Sequence, residues 1–440
     1  MRSIWVALVL GMGSMYALPS FALAQHVDAT ATIEMAQVLR ELDTMRARQD
    51  ALEAENERLR TMLEEEPGGT QLAPVAAAGP SDETSVGLYT GGGGFFVKGE
   101  DYQLRLLGYA QAVGSVFDSR LDRADGNGDF SIRRARIDFL ADFFEDYQLF
   151  VELDGGPGST PGTSDFALVE ARLNWRIMED AVQLRVGKFT TPFSTENFRS
   201  SRDIDTVERF IALNSLFALP ALDVQFGGMV HGKIGGDRSL GYFLGAFNGS
   251  GRANDNLSDD NDNKELMAKL TYSEPGWSAG LAFDYAQEES QTLTLSDLSF
   301  SPFVSIPVEE RRVGVGADVF WENGPWSVRA EGLMFRFDSP EQSEVWLSGG
   351  FIQPARYLWG DRQEGLQLLL RTQLAQLDAE TGDNGDTLYA ATLGANWFVN
   401  PNVRVQFNAV LQYFNGSSTL RGFDDEELIP LLLTEVQFKF

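Results

Sequence analysis

Residues 167–177 read Ala167-Leu-Val-Glu-Ala-Arg-Leu-Asn-Trp-Arg-Ile177. In an extended strand Ala167, Val169, Ala171, Leu173, Trp175 and Ile177 share one face, and Glu170, Arg172, Asn174 and Arg176 share the other. Four polar or ionic side chains do not fit a dry core. The arrangement is cheap only where one side of the sheet meets water and the other meets lipid, which a water-filled membrane barrel supplies.

The pattern recurs from Tyr102 to Phe440 as roughly ten alternating residues followed by a turn rich in Gly, Asp, Asn or Pro. It predicts strands over 102–117, 130–143, 146–154, 165–178, 181–189, 223–235, 239–247, 264–273, 276–286, 310–321, 326–337, 343–353, 364–377, 386–399, 402–414 and 431–440. Sixteen is an even number, as single-chain bacterial barrels require. The expected fold class is therefore all-β, a sixteen-stranded antiparallel transmembrane β-barrel. Tight turns such as Glu145-Asp146, Glu179-Asp180, Glu274-Pro275 and Asn323-Gly324-Pro325 alternate with longer connections, the arrangement of periplasmic turns and external loops.

Hydropathy by itself points elsewhere. Of 440 residues 43% are hydrophobic, and beyond the N-terminus no run reaches the ~20 apolar residues of a membrane helix. Alternation overrides this, because only every second residue of a barrel strand need be apolar. The formal charge of −29 argues against nucleic acid as a partner. Much of the excess falls in candidate loops at 122–129, 254–263, 378–386 and 424–427, where solvated charge says little about the interior. With no cysteine there is no disulfide framework, thiolate metal ligand or thiol nucleophile.

Residues 1–24 read as a secretory signal peptide, with Arg2, an apolar stretch over 4–10 and Ala22-Leu-Ala24 as a small-x-small cleavage site. Within 25–66, Met35, Val38, Leu42, Met45, Gln49, Leu52, Asn56, Leu59 and Leu63 form a heptad seam without Pro or Gly. That predicts a short N-terminal coiled-coil helix, a stalk in the periplasm, with Gln49 and Asn56 as polar core positions that fix register. Residues 67–94, with Pro67-Gly-Gly69, Gly79-Pro80 and four glycines at 91–94, have linker composition. The barrel takes 95–440 and sits in the bacterial outer membrane, against its lipid and lipopolysaccharide.

The block 130–232 resembles a known family. Its pieces are Phe130-Ser-Ile-Arg-Arg-Ala-Arg136, then Val186-Gly-Lys-Phe-Thr-Thr-Pro-Phe193 with Ser200-Ser201, then Val207-Glu-Arg-Phe210. Gly245-Ala-Phe-Asn-Gly-Ser-Gly251, Leu393-Gly-Ala-Asn-Trp-Phe-Val-Asn-Pro-Asn402 and the closing Gln437-Phe-Lys-Phe440 extend it. Together they are similar to the phosphate-selective porin O and P family. The resemblance implies a homotrimeric channel for small solutes or anions, with a long third loop, here 188–220, folded inward to narrow the pore. It also implies that the terminal aromatic, Phe440, serves assembly. Where members commonly carry an Arg before the glycines that open the next strand, this chain reads Leu222-Asp-Val-Gln-Phe-Gly227, so the likeness does not fix phosphate as the solute.

Selectivity needs charged side chains felt across a narrow gap. Strand parity places Arg134 and Arg136 inside, opposite outward Ala135, Ile137 and Phe139, and the same test puts Arg172, Arg176, Arg185, Arg371 and Arg404 in the lumen. Two readings compete for these arginines. They form an internal basic track, or they pair with inward Asp138, Glu152, Asp154 and Glu170 and brace the wall. The inserted loop adds Lys188, Arg199, Arg202 and Arg209 against Glu196, Asp203, Asp205 and Glu208. A balanced ring of both signs would screen itself and give weak selectivity, yet arginine holds carboxylate or phosphate through two parallel hydrogen bonds, which keeps small anions as the expected cargo.

Asp125, Asn127 and Asp129 begin like a calcium loop, but Phe130 stands where glycine is needed and Arg136 where the bidentate Glu belongs, so no EF-hand is expected. Only His26 and His231 exist, and neither a nucleophile elbow nor a phosphate-cradling loop occurs. No metal, cofactor or enzymatic activity is expected. The rival from another class is a structural tether, in which the coiled coil docks the outer membrane to the cell wall and the pore is incidental.

Overall fold

A computed structural model describes residues 84–89, 93–117, 128–156, 167–213, 222, 224–235, 238–249, 263–294, 305–338, 344–379, 386–415 and 428–440. The expected signal peptide and coiled coil, residues 1–24 and 25–66, lie outside the described residues, as does most of the expected linker.

Eighteen strands form one antiparallel sheet: β1 (Ser85–Tyr89), β2 (Gly94–Lys98), β3 (Tyr102–Phe117), β4 (Gly128–Phe143), β5 (Tyr147–Asp154), β6 (Ala167–Met178), β7 (Val182–Thr190), β8 (Val224–Ile234), β9 (Leu240–Phe247), β10 (Glu265–Glu274), β11 (Trp277–Thr294), β12 (Ser305–Asn323), β13 (Trp326–Phe337), β14 (Val345–Gly360), β15 (Gly365–Ala379), β16 (Asp386–Asn400), β17 (Val403–Asn415) and β18 (Leu428–Lys439). Each of β3 to β18 pairs with its neighbours in sequence, and β18 pairs back onto β3 from Leu431↔Phe117 to Lys439↔Tyr109. The sixteen-stranded ring is closed. Closure satisfies every ladder and leaves no edge in the hydrocarbon, the condition for a sheet to cross a bilayer.

All sixteen predicted strands occur, and β11, β12 and β14 run several residues beyond their predicted ends. In β18 the outward Leu432, Val436 and Phe438 are exposed, and the inward Leu433, Glu435 and Gln437 are buried. Short turns gather at the rim that holds Phe440, and the strand ends joined by the longer connections lie at the other.

The linker expectation fails at one place. β1 lies inside 67–94 and pairs with β2 from Ser85↔Lys98 to Tyr89↔Gly94. β2 in turn pairs with Gln103 to Leu106 of β3, carrying on along the edge that β18 leaves at Tyr109. Gly94, at the end of the glycine run, serves the pairing of β1 with β2 and of β2 with β3. Gly94 has φ +79°, and a Cβ there would stand 2.2 Å from the Leu106 carbonyl oxygen. Strands of five residues are too short to declare a period against such a composition.

Bulges alter two faces. Gln111 pairs with Arg134 but Ala112 pairs with Ile132, so Arg133 is an extra residue and the outward positions beyond it are Ile132 and Phe130, both exposed. Likewise Glu152 pairs with Glu170 and Leu153 with Leu168. Val169, expected outside, is buried, and Leu168 is exposed instead.

At the closing seam the Phe440 N–H donates to the Gly108 carbonyl (3.0 Å), and the Phe440 ring lies 6.1 Å from that of Phe95. Phe440→Ala removes one ring from a sheet held by its ladders. The purified barrel is expected to melt nearly unchanged while the yield of assembled barrel in cells falls. An unchanged yield would refute an assembly role for this residue.

Candidate functional site: the inward loop and the lumen wall

The described part of the connection from β7 to β8, residues 191–213, enters the barrel. Ser194 caps the short helix α1 (Thr195–Phe198) by accepting from the Asn197 N–H (3.1 Å), and a 3-10 turn follows at Ser201–Asp203. A segment placed there loses water for its backbone groups, each of which then needs another partner. The wall supplies them. Glu331 accepts from the Glu196 N–H (2.8 Å), Asn408 from the Val207 N–H (2.8 Å) and Gln373 from the Ile211 N–H (3.0 Å). Arg404 donates to the Ile204 carbonyl (2.8 Å), Asn396 to that of Asp205 (2.8 Å) and Gln437 to that of Arg202 (3.2 Å).

Three loop carboxylates, the buried Glu196 and Asp205 and the half-buried Glu208, carry the ionic contacts. Glu196 pairs with Arg371 (2.8 Å) and Arg199 (3.6 Å). Asp205 pairs with Arg362, Arg329 (3.3 Å) and Arg199 (3.7 Å), and Gln353 donates to it at 3.3 Å. Glu208 receives two bonds of 2.9 Å from Arg133. Arg362 lies in the short turn between β14 and β15, on the same rim as Phe440, so the loop spans the barrel nearly to its periplasmic mouth.

Apolar packing fixes the loop's other flank. Phe193 and Phe335 stand 4.9 Å apart between ring centres, Phe210 and Phe351 5.0 Å, within a buried cluster that includes Phe189, Phe247 and Leu347. Along β13 to β15 the loop therefore meets buried rings and aliphatic side chains as well as the polar partners named above.

Burial alone would raise the Asp205 carboxyl, but Arg362, Arg199 and Arg329 outweigh it and hold the group well below the usual carboxylate range. Glu196 and Glu208 are also lowered against their own burial, by Arg371 and Arg199 and by Arg133 and Arg134 respectively. A carboxyl with a depressed folded value adds stability above its unfolded pKa of about 4 and loses it as pH falls through the folded value. Carbon-detected titration of Asp205 is expected to show it still ionised at about pH 4. A midpoint near 4 would mean that the clasp does not form.

The arginines and the lysine expected in the lumen have separate fates. Arg136 pairs with Glu152 (2.6 Å) and Asp154 (2.9 Å), Arg172 with Glu170 (2.9 Å), and Arg176 with Asp142 (3.5 Å) and the Glu145 carbonyl near the rim. Arg134 is buried and donates to Gln111 (3.0 Å). Arg209 donates to the carbonyls of Arg199 (2.9 Å) and Glu196 (3.3 Å), while Arg202 stays beside Asp203 (3.6 Å). Lys188 is a strand residue of β7 and shares the parity of exposed Val186, opposite that of Arg185. Its Nζ donates to the Leu168 carbonyl (3.1 Å) and lies 5.7 Å from the Phe226 ring. Gly187 before it has φ +124°, and a Cβ there would fall 2.2 Å from the Ala171 oxygen, so the two backbones approach too closely for any other residue.

Three participants escaped the sequence reading. Arg329 was accessible to it, since alternation along β13 puts it on the side of Glu331. Arg133 points inward only because of the bulge, and Arg362 comes from a turn without periodicity.

Residues 111–297 match the family model described as phosphate-selective porin O and P. Among solved structures the chain is similar to an anion-selective porin from Comamonas acidovorans, at 11% identity over 77% of this chain and 100% of that one, with a TM-score of 0.56. A loop L8 deletion mutant of OmpT, an outer membrane protein of Vibrio cholerae, matches at 11% identity over 78% and 100% with a TM-score of 0.54. The outer membrane channel DcaP of Acinetobacter baumannii matches at 11% over 77% and 98%, with a TM-score of 0.53. The comparison with curated proteins gives no match. At such identities the structures establish the shared barrel fold, whereas the motifs and the matched segment agree on more: residues 111–297 carry the pattern of the phosphate-selective porin O and P family.

Proposed function

We propose that this outer-membrane porin passes small hydrophilic solutes by diffusion and favours anions, with phosphate or small carboxylates as cargo. One observation carries the preference. Where the loop meets the wall, the guanidiniums of Arg133, Arg134, Arg199, Arg209, Arg329, Arg362, Arg371 and Arg404 outnumber the carboxylates of Glu196, Asp205, Glu208, Glu331 and Glu435. The surplus is positive in a chain whose total charge is −29. Charge in a confined, poorly screened gap weighs more on a passing ion than charge in solvated loops.

The test is a planar bilayer holding purified protein in a salt gradient. Regular conductance steps with a reversal potential on the anion side are expected; cation preference refutes the selectivity, and absence of steps favours the tether. We further propose a homotrimer, with conductance steps grouped in threes, and a self-associating stalk over 25–66. A peptide spanning 35–63 should gain helicity with concentration, and concentration-independent helicity would count against the stalk.

A further inference from the structure

We propose that the arc of wall opposite the inward loop carries a binding site for a small, singly charged carboxylate, centred on Arg185 of β7. This rests on the diffusion-channel reading and names a solute class and a place for it.

Besides the contacts already described, the loop reaches β3 through Gln111 (3.4 Å to the Ser201 carbonyl), β10 through Lys269 (2.6 Å to Thr195), β12 through Asp318 (2.7 Å to Thr195) and β9 through the Phe198–Phe243 ring pair (6.0 Å), which leaves β5 to β8 as the wall of the passage. Inward side chains on that arc are mostly committed. Glu170 is held by Arg172 (2.9 Å) and by the Thr190 N–H (2.9 Å) and hydroxyl (2.6 Å). Asn174 donates to Gln183 (2.7 Å), and its side-chain oxygen lies 2.7 Å from Nε2 of His231.

Arg185 is the exception. It makes no ion pair among the described residues, and its buried Nε has no acceptor. Asn174, its partner across the ladder, is already occupied. A buried guanidinium donor without an acceptor is costly, and a bound anion supplies what the fold leaves out.

Charge and shape narrow the ligand. Arg172 is neutralised by Glu170, so beside that pair Arg185 offers one positive charge without an ion-pair partner, matched by one carboxylate and not by a doubly charged phosphate. The planar edge of a guanidinium takes two in-plane oxygens, the geometry of a carboxylate. Rings flank it: Phe189 is 5.6 Å from the Arg185 guanidinium, Phe150 is 4.5 Å from that of Arg172, and His231 stacks on Phe243 at 5.8 Å and 8°. A carboxylate with a flat apolar body, such as benzoate, fits this combination.

The experiment uses the full-length channel in two assays, benzoate binding in detergent by calorimetry and benzoate block of chloride current in bilayers. Wild-type protein is expected to bind and to be blocked. Arg185→Gln, with folding checked by heat-modifiable migration on gels, is expected to weaken both by roughly tenfold, the size of one lost charged hydrogen bond. Arg185→Lys keeps the charge and loses the fork, so it should weaken benzoate while leaving anion preference in place. No binding to wild type, or binding unmoved by both variants, overturns the site. Inorganic phosphate binding as tightly as benzoate and losing as much in Arg185→Gln overturns the carboxylate assignment. A wild-type channel that prefers cations or passes no current defeats the diffusion reading instead, and calorimetry then still decides the site.

Discussion

Replacing Asp205 by Ala is expected to raise single-channel conductance several-fold and to abolish a loop-specific step in thermal unfolding. The side chain is 3% exposed and is the common partner of Arg199, Arg329 and Arg362. Its removal leaves Arg329 and Arg362 without their anion and Arg199 with Glu196 alone. Breaking a buried ion pair by deleting one partner costs about 3–5 kcal/mol. The barrel ladders do not depend on Asp205, so the loss falls on the loop, which swings from the wall and widens the passage. Asp205→Asn keeps the shape and separates charge from packing; most of the effect should persist. Unaltered conductance in both variants would mean that the apolar cluster around Phe193 and Phe210 anchors the loop unaided.

The second large effect concerns Arg134 and Arg136 on β4. Arg136 bridges Glu152 and Asp154, and its loss leaves two mostly buried carboxylates without their cation. Arg134 is buried with a single amide hydrogen-bond partner and no direct ion pair of its own, so its charge acts on its surroundings at a distance, on Glu208 first. Changing both to Ala is expected to move the reversal potential in a salt gradient toward cation preference, more at low ionic strength because screening is weaker there. Thermal stability should fall as well, by about 3–5 kcal/mol for the broken Arg136 pairs. A drop in stability with selectivity untouched would make these arginines wall braces and defeat the basic track.

Bracing and selectivity are not separate populations in this barrel. Arg371 and Arg404, read from alternation as lumen residues, spend their donors on Glu196 and on the Ile204 carbonyl, so their charge reaches a solute only through the loop they hold. Arg172 spends its own on Glu170. The polar side of β14 to β18 has a similar second use. Gln353, Gln373, Asn396, Asn408 and Gln437 look like residues facing water, yet each bonds a loop group.

The chain's alternation by itself determined that the fold is a barrel, how many strands it has and which way β3 to β18 face, because a period of two is a local property and lipid on one side punishes any lapse. The same local rule misjudged Val169 and missed Arg133, since a bulge inserts a residue and reverses the parity beyond it with little warning from composition. The β1 hairpin was hidden by glycines whose freedom serves a tight turn as readily as a linker. What only the tertiary structure decided is which inward arginines are spent and which remain. That depends on the route of one loop whose carboxylates find Arg362 and Arg329 some 120 to 160 residues away in the chain, and no periodicity records a contact between a strand and a loop that folds back across the whole depth of the barrel.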